Sequence, residues 1–342
     1  MQKRKTPPVK RALSLVASVA MAVGTLAGMP NIVPPPLTAS AADGRDANEV
    51  VVERRQLIIV GTKMTDSNKN DILGNGIFSY DADANQLNIN GDFTYTWTDD
   101  PEDPDDWLPN YFIYCNYPNL TVNVAKDSVL TETKNKEENL HLGSINGMRF
   151  DGNTTITDSG KLTVESDSYG IYIYGDARQL TISGLTADIH GNNFGISGSM
   201  DQALVIRNST LNISNNIDDG FAACKFNDLV LDGCMITTPQ NAFFNNEYGA
   251  VMVDYETAVP RVVIAPVRTI TYKANGGSGA DVVQSHGAGS AVTLKSASTF
   301  TRSGYVFNGW NTKADGSGNT YAAGKSVSWY DNVTLYAMWQ KK

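Results

Sequence analysis

The sequence predicts an all-β chain: a right-handed parallel β-helix of about five coils, preceded by an N-terminal β cap and followed by a small β module. Three recurring patterns predict it. A small residue followed by a large apolar one returns at Gly147-Met148, Gly170-Ile171, Gly195-Ile196, Gly220-Phe221 and Ala242-Phe243, at steps of 23, 25, 25 and 22 residues. A second series, Thr155-Ile156, Leu180-Thr181-Ile182, Leu204-Val205-Ile206 and Leu229-Val230-Leu231, keeps the same step. A third lies between them: Leu162-Thr163-Val164, Ile189, Leu211-Asn212-Ile213 and Met235-Ile236. Units of three short strands that cannot bury an apolar face alone must stack on one another, which is the logic of a solenoid. The runs are rich in Ile, Val, Leu and Thr, and Gly184, Asn192-Asn193, Asn215-Asn216 and Gly233 punctuate them as turns. A β-sandwich with evenly spaced strands is the alternative architecture.

The elements follow in chain order. Residues 1–11 hold Lys3, Arg4, Lys5, Lys10 and Arg11 without an acid; an apolar run extends from Ala12 to Met29, and Thr38-Ala39-Ser40-Ala41-Ala42 is a stretch of small residues. That is the order of a secretory signal peptide, so residues 1–42 are expected to be removed after Ala41 or Ala42. An uncleaved anchor is the other reading, because the apolar run is just long enough to span a bilayer. Pro34-Pro35-Pro36 and the small residues favour removal and no stable membrane span thereafter. Residues 43–115, with Leu57-Ile58-Ile59-Val60 and the strand-turn-strand pattern Ser79 to Ile89, are expected to cap the first coil. The β-helix is placed at 116–255, and a linker bearing Pro260 and Pro266 at 256–268. A separate module of 269–342 closes with Val333, Leu335, Ala337 and Trp339 alternating onto one face.

Charge narrows the partners. The whole chain carries a formal −9, and loss of residues 1–42 with their five bases brings it to −14. Residues 43–267 hold 33 acids against 14 bases, whereas 268–342 hold three acids against eight bases. An acidic solenoid excludes nucleic acid, which requires a concentrated basic surface. Three cysteines in an exported chain leave at least one unpaired, and Cys224 and Cys234 sit in apolar settings that suit buried thiols.

Two resemblances add to this. The pattern Val60-Gly61, Asp71-Ile72-Leu73-Gly74-Asn75-Gly76, Ser79-Tyr80-Asp81 and Leu87-Asn88-Ile89, followed by the coils, resembles the N-terminal half of secreted, carbohydrate-binding-domain-like proteins of gut bacteria. Tyr272-Lys273-Ala274-Asn275-Gly276-Gly277, Thr301-Arg302-Ser303-Gly304-Tyr305-Val306-Phe307-Asn308-Gly309-Trp310, Asp315-Gly316-Ser317-Gly318 and Val333 to Trp339 resemble, in order, the Listeria/Bacteroides repeat of internalin-like surface proteins. The second resemblance implies a β-grasp-like module without catalysis, on the surface of a bacterium, in its envelope or outside it.

Candidate residues are few. Alternation that turns Ile171 and Ile173 inward turns Tyr172 and Tyr174 outward, as a stacking platform that Ser197 and Ser199 of the next coil do not continue. Asp218 and Asp219, with Asp228 and Asp232 beyond, offer carboxylates that a glycosidase would need, although Asn- and Asp-rich corners are required by the turns themselves. No catalytic or metal-binding residue is assigned, and no cofactor is expected. The acidic run Asp99 to Asp106 lacks the spacing of a calcium loop. The expected function is a monomeric, modular binding protein without catalysis, for adhesion or for a glycan or host or cell-surface protein. A polysaccharide lyase or glycoside hydrolase, and a purely structural spacer, are the alternatives.

Overall fold

The computed structural model describes residues 55–97, 111–134, 146–217, 220–296 and 300–342, all within the second of the chain's two units, Arg54–Lys342. The expected signal peptide, the acidic run Asp99 to Asp106, and Asp218 and Asp219 lie outside the described residues. Within them every regular element is a strand, and no helix is long and apolar enough to cross a membrane.

The described residues open with three short strands, β1 (Leu57–Ile59), β2 (Thr62–Lys63) and β3 (Phe78–Asp81). It continues through β4 (Gln86–Ile89), β5 (Phe93–Trp97), β6 (Tyr111–Cys115), β7 (Leu120–Val124), β8 (Ser128–Lys134), β9 (Asn146–Phe150), β10 (Thr154–Thr157) and β11 (Lys161–Ser166). Then come β12 (Tyr169–Ile173), β13 (Gln179–Ser183), β14 (Thr186–Gly191), β15 (Phe194–Ser197), β16 (Ala203–Arg207), β17 (Thr210–Ser214), β18 (Ala223–Cys224), β19 (Asp228–Asp232) and β20 (Cys234–Thr238). From β4 to β16 each strand pairs in parallel with the one three places on, so the chain visits three sheets in rotation. The first sheet holds β6, β9, β12, β15 and β18, the second β4, β7, β10, β13, β16 and β19, the third β5, β8, β11, β14 and β17.

Each sheet sends apolar columns inward. Ile113, Met148, Ile171 and Ile196 are in register on the first sheet. Val122, Ile156, Ile182 and Ile206 are in register on the second, and Leu130, Val164, Ile189 and Ile213 on the third. All twelve side chains are buried in one continuous core. Between the second and third sheets Asp158, Gly184, Asn208 and Gly233 occupy the same corner, each with positive φ (110°, 69°, 44° and 65°), a geometry that Gly, Asn and Asp tolerate. Gly147, Gly170 and Gly195 form a second column, where the third sheet turns into the first. There a Cβ on Gly147 would stand 2.3 Å from the Gly170 carbonyl oxygen, and one on Gly170 2.6 Å from that of Gly195.

Four expectations change. The stack begins before residue 116: β4, β5 and β6 already pair in parallel with β7, β8 and β9, so the cap reduces to β1, β2, β3 and a cluster of Phe78, Phe93 and Phe112, rings 5.5–6.3 Å apart, closing the open end. The fourth repeat is not Gly220-Phe221, because Ile196 pairs with Ala223, and Ala222-Ala223 fill the inner wall. The fifth, Ala242-Phe243, leaves the first sheet: β21 (Phe243–Asn245) and β22 (Ala250–Met252) form a hairpin of their own.

Finally, the expected linker is strand from Arg261 onward. β23 (Arg261–Lys273) reverses direction and lies between β17 and β20, antiparallel to both, with Ile264 opposite Leu211 on one side and Ile236 on the other. Met235-Ile236 therefore does not follow β17 directly. Val262 and Ile264 are fully buried in the core of the stack, and further along the same strand Ile270 and Tyr272 are fully buried in a second core.

The second core belongs to β24 (Val282–Gly287), β25 (Ala291–Thr293), β26 (Tyr305–Asn311), β27 (Thr320–Tyr321), β28 (Ser326–Ser328) and β29 (Val333–Lys341). β23 pairs here with β24 and β29, and β29 with β26. Trp310, fully buried, packs 4.7 Å from the Tyr272 ring and donates its indole N–H to the Lys295 carbonyl at 2.9 Å. Leu335 and Ala337 are buried with Val333 and Trp339 packed beside them, so these four share a face as the alternation required.

Candidate functional site

The outward side of the first sheet carries a group of aromatic side chains in mutual contact. Register builds it. Tyr114, Arg149 and Tyr172 follow the inward Ile113, Met148 and Ile171, and so stand side by side on the outside of β6, β9 and β12. Tyr169 precedes the Gly170 corner and pairs with Phe194, their rings stacked at 5.2 Å. Tyr111 lies 5.9 Å from Tyr114, Tyr169 5.1 Å from Tyr172, and Tyr172 6.1 Å from Tyr174.

Arg149 stands at the centre. Its guanidinium lies 4.7 Å from the Tyr174 ring centre, 5.3 Å from Tyr111, 5.7 Å from Tyr114 and 5.8 Å from Tyr172, cation–π distances to four rings. It is also spent on hydrogen bonds. Nε donates to Asp151 Oδ1 at 2.6 Å, Nη2 to Asp151 Oδ2 at 3.0 Å, and Nη1 to the Tyr111 hydroxyl at 2.7 Å. Tyr114 donates to Asp151 Oδ2 at 3.2 Å. Burial disfavours the arginine's charge, but the bonds to Asp151 and Tyr111 outweigh it, and its pKa rises. Burial, and after it the neighbouring Asp151, pushes the Tyr114 hydroxyl up to about 12. Burial also raises Tyr172, with Arg149 opposing. Tyr114 and Tyr172 thus keep neutral hydroxyls at physiological pH, that of Tyr114 with its hydrogen already donated to Asp151.

Both tyrosines singled out in the sequence belong to this face, in different states. Tyr174 is 47% exposed, whereas Tyr172 is half-buried between Tyr169, Tyr174 and Arg149. Nor do they stand alone, since Tyr111, Tyr114, Tyr169 and Phe194 extend the surface across four strands. The expectation about Ser197 changes too: it pairs with Tyr172 but is fully buried. Beside it Phe194 and Phe221 pack on Cys224, Ala250 and Met252, so the hairpin of β21 and β22 covers this end of the sheet. Arg149 was legible one coil back from Tyr172, immediately after Met148. Tyr111 and Tyr114 were hidden because Phe112 replaces the repeating glycine and the step from Ile113 to Met148 is longer than the others.

Other polar groups lie elsewhere on the stack. A shallow hollow of about 300 Å³ on the second sheet is lined by Asn119, Asn153, Thr155 and Gln179. There Asn153 donates to Asn119 Oδ1 at 3.3 Å and accepts from the Gln179 N–H at 3.0 Å. Asp228 and Asp232 sit at the two ends of β19, and Asp232 is paired with Arg207 at 3.3 Å. Four residues along a strand separate the two carboxylates by roughly 13 Å, beyond the window of about 5–9.5 Å that glycosidases use. His190 contacts Ser214 Oγ at 3.0 Å and Asn192 Oδ1 at 3.3 Å. Among the described residues no group of three or more His, Cys, Asp or Glu converges as a metal site.

Cys115, Cys224 and Cys234 are free and buried. Burial pushes the Cys115 thiol up to about 12 and Cys224 to about 11, and raises Cys234, so none is a ready nucleophile. Thiol titration without reductant is expected to find no fast-reacting group in native protein and all three after unfolding. A lower count after unfolding reveals a bridge.

Comparison with known proteins places one part of the chain. Residues 269–338 match the Listeria-Bacteroides repeat domain, so the module built on β23 to β29 is such a repeat. A stretch of 78 residues, 21% of this chain, is 38% identical to a protein of Evansella cellulosilytica described as "Putative Gly-rich membrane protein", and covers 9% of that protein's length.

Proposed function

We propose that this chain is an exported, surface-associated binding protein without catalysis, and that it binds glycan through the outer face of the first sheet. The observation that carries the reading is the group of five tyrosines and Phe194 around Arg149, a broad, half-exposed aromatic surface with polar groups set among its rings. Sugar rings present C–H faces to aromatic planes and hydroxyls to polar rims, so an open platform of this kind suits a saccharide better than a compact cofactor, which needs an enclosed pocket. The three-sheet rotation supports reading the stack as a right-handed parallel β-helix, since crossovers between parallel strands of one sheet are overwhelmingly right-handed. Its role is to hold the platform on a stiff backbone, with the β-grasp-like repeat beyond. The order of basic, apolar and small residues in 1–42 supports export. The repeat at 269–338 supports a surface location.

A glycan array tests this. The intact protein is expected to bind at least one saccharide class, and the Tyr172→Ala, Tyr174→Ala double variant to bind it about tenfold or more weakly, two lost aromatic contacts being worth roughly 1–3 kcal/mol. Unchanged binding excludes the platform as the binding site. Oligosaccharide release from the same glycans revives the enzyme, and the absence of any saturable ligand leaves a spacer.

A further inference from the structure

We propose that the ligand of the aromatic face is an uncharged pyranose polymer running across the strands of the first sheet, and that Asp151 sets this preference by neutralising Arg149. The inference rests on the glycan-binding reading of that face and goes further, to charge class and direction.

Direction comes from where the rings stand. β6 supplies Tyr111 and Tyr114, β12 supplies Tyr169 and Tyr172, with Tyr174 immediately after it, and β15 supplies Phe194, with Arg149 of β9 between the first two groups. Neighbouring strands lie about 4.8 Å apart, so the surface extends over three steps, roughly 14 Å, in the stacking direction. A single ring would need one or two of these side chains; the row suits a chain of sugars.

Charge class comes from Arg149. It is the cation an acidic sugar would be expected to engage, since guanidinium grips carboxylates in pairs of hydrogen bonds. Here that grip is already taken. Asp151 occupies Nε and Nη2 with its two oxygens, and Tyr111 occupies Nη1. The ion pair is inset in the platform, with side chains only 19% and 20% exposed. A uronate would have to displace an internal carboxylate to reach it. Another cation on this face, Lys225, lies 4.8 Å from the Phe194 ring. At longer range the excess of acids over bases in residues 43–267, 33 against 14, repels polyanions. Neutral sugars meet none of these obstacles.

The test is affinity electrophoresis of the full secreted chain in native gels containing barley β-glucan, arabinoxylan, galactomannan or polygalacturonate. Retardation by at least one neutral polymer and none by polygalacturonate is the expected result. Asp151→Asn is expected to gain retardation in polygalacturonate, and Asp151→Asn with Arg149→Gln to lose that gain; Asp151→Glu, which keeps the charge, is expected to behave as the parent. Retardation of the parent by polygalacturonate alone overturns this inference while leaving glycan binding intact. Retardation by no polymer overturns both. If Asp151→Asn, folded by its melting curve, gains nothing in polygalacturonate, Asp151 is not the determinant; if that variant does not fold, binding of polygalacturonate by Asp151→Glu overturns the role of Asp151 in the same way.

Discussion

Ending the chain after Thr257 is expected to leave residues 55–257 unable to hold their fold, whereas ending it after Arg268 keeps the stack. The first cut removes Val259, Val262 and Ile264, at most 2% exposed and part of the core of the stack. Burying each is worth about 1.5–3 kcal/mol, so roughly 5–9 kcal/mol is lost, comparable with the whole margin of about 5–15 kcal/mol of an ordinary domain. It also strips β17 and β20 of their shared partner and uncovers the last coil, a hazard for solenoids without a cap. The second cut keeps those pairings and sacrifices only the repeat module. In the intact chain, because one strand serves both cores, far-UV circular dichroism and near-UV signals from Trp310, Trp329 and Trp339 are expected to melt together. Two separated transitions, or a stable soluble product of the first cut, refute the coupling.

The second large effect is expected at the glycine column. In Gly170→Ala the new methyl would stand 2.6 Å from the carbonyl oxygen of Gly195, 2.8 Å from Ile189 Cγ2 and 3.1 Å from the His190 carbonyl oxygen. Two of these neighbours are backbone and cannot turn aside. Relief requires prising one coil from the next, which breaks parallel pairing in the first sheet, and a loss of about 3 kcal/mol or more follows, at the upper end for overpacking. Gly91→Ala is the control: nothing lies within 4 Å of its Cβ, and a change within about 0.5 kcal/mol is expected. Urea denaturation of the two variants decides it; equal midpoints would show that the column does not constrain the stack.

The parallel ladders were legible in the sequence because successive repeats bury side chains in the same core. Ile156, Ile182 and Ile206 must each present one apolar side chain inward at each visit to the second sheet, and the pattern survives any change outside. The start of the stack was obscured for a local reason. Between Ile113 and Met148, and between Val122 and Ile156, the step is longer than in later coils, so the strands β4 to β6 read as cap. Its end was obscured by a two-residue shift, Ala222-Ala223 taking the place that Gly220-Phe221 promised. Composition contains no sign of a strand that reverses and enters a ladder, since Val262 and Ile264 alternate inward equally well in either direction.

For the candidate site the division is sharper. Tyr172 and Tyr174 were legible because alternation along one strand is a local rule. Their neighbours depended on which residue of another coil falls beside them, a register settled by hydrogen-bond ladders between residues 23 to 35 positions apart. Sequence determined the period, the inward columns and the identity of the repeat module, since these follow from side-chain volume and backbone preference at each position. Tertiary structure alone placed Arg149 among four tyrosines, closed its charge with Asp151 and passed β23 through both cores, because contact across coils depends on accumulated loop lengths that no single residue encodes.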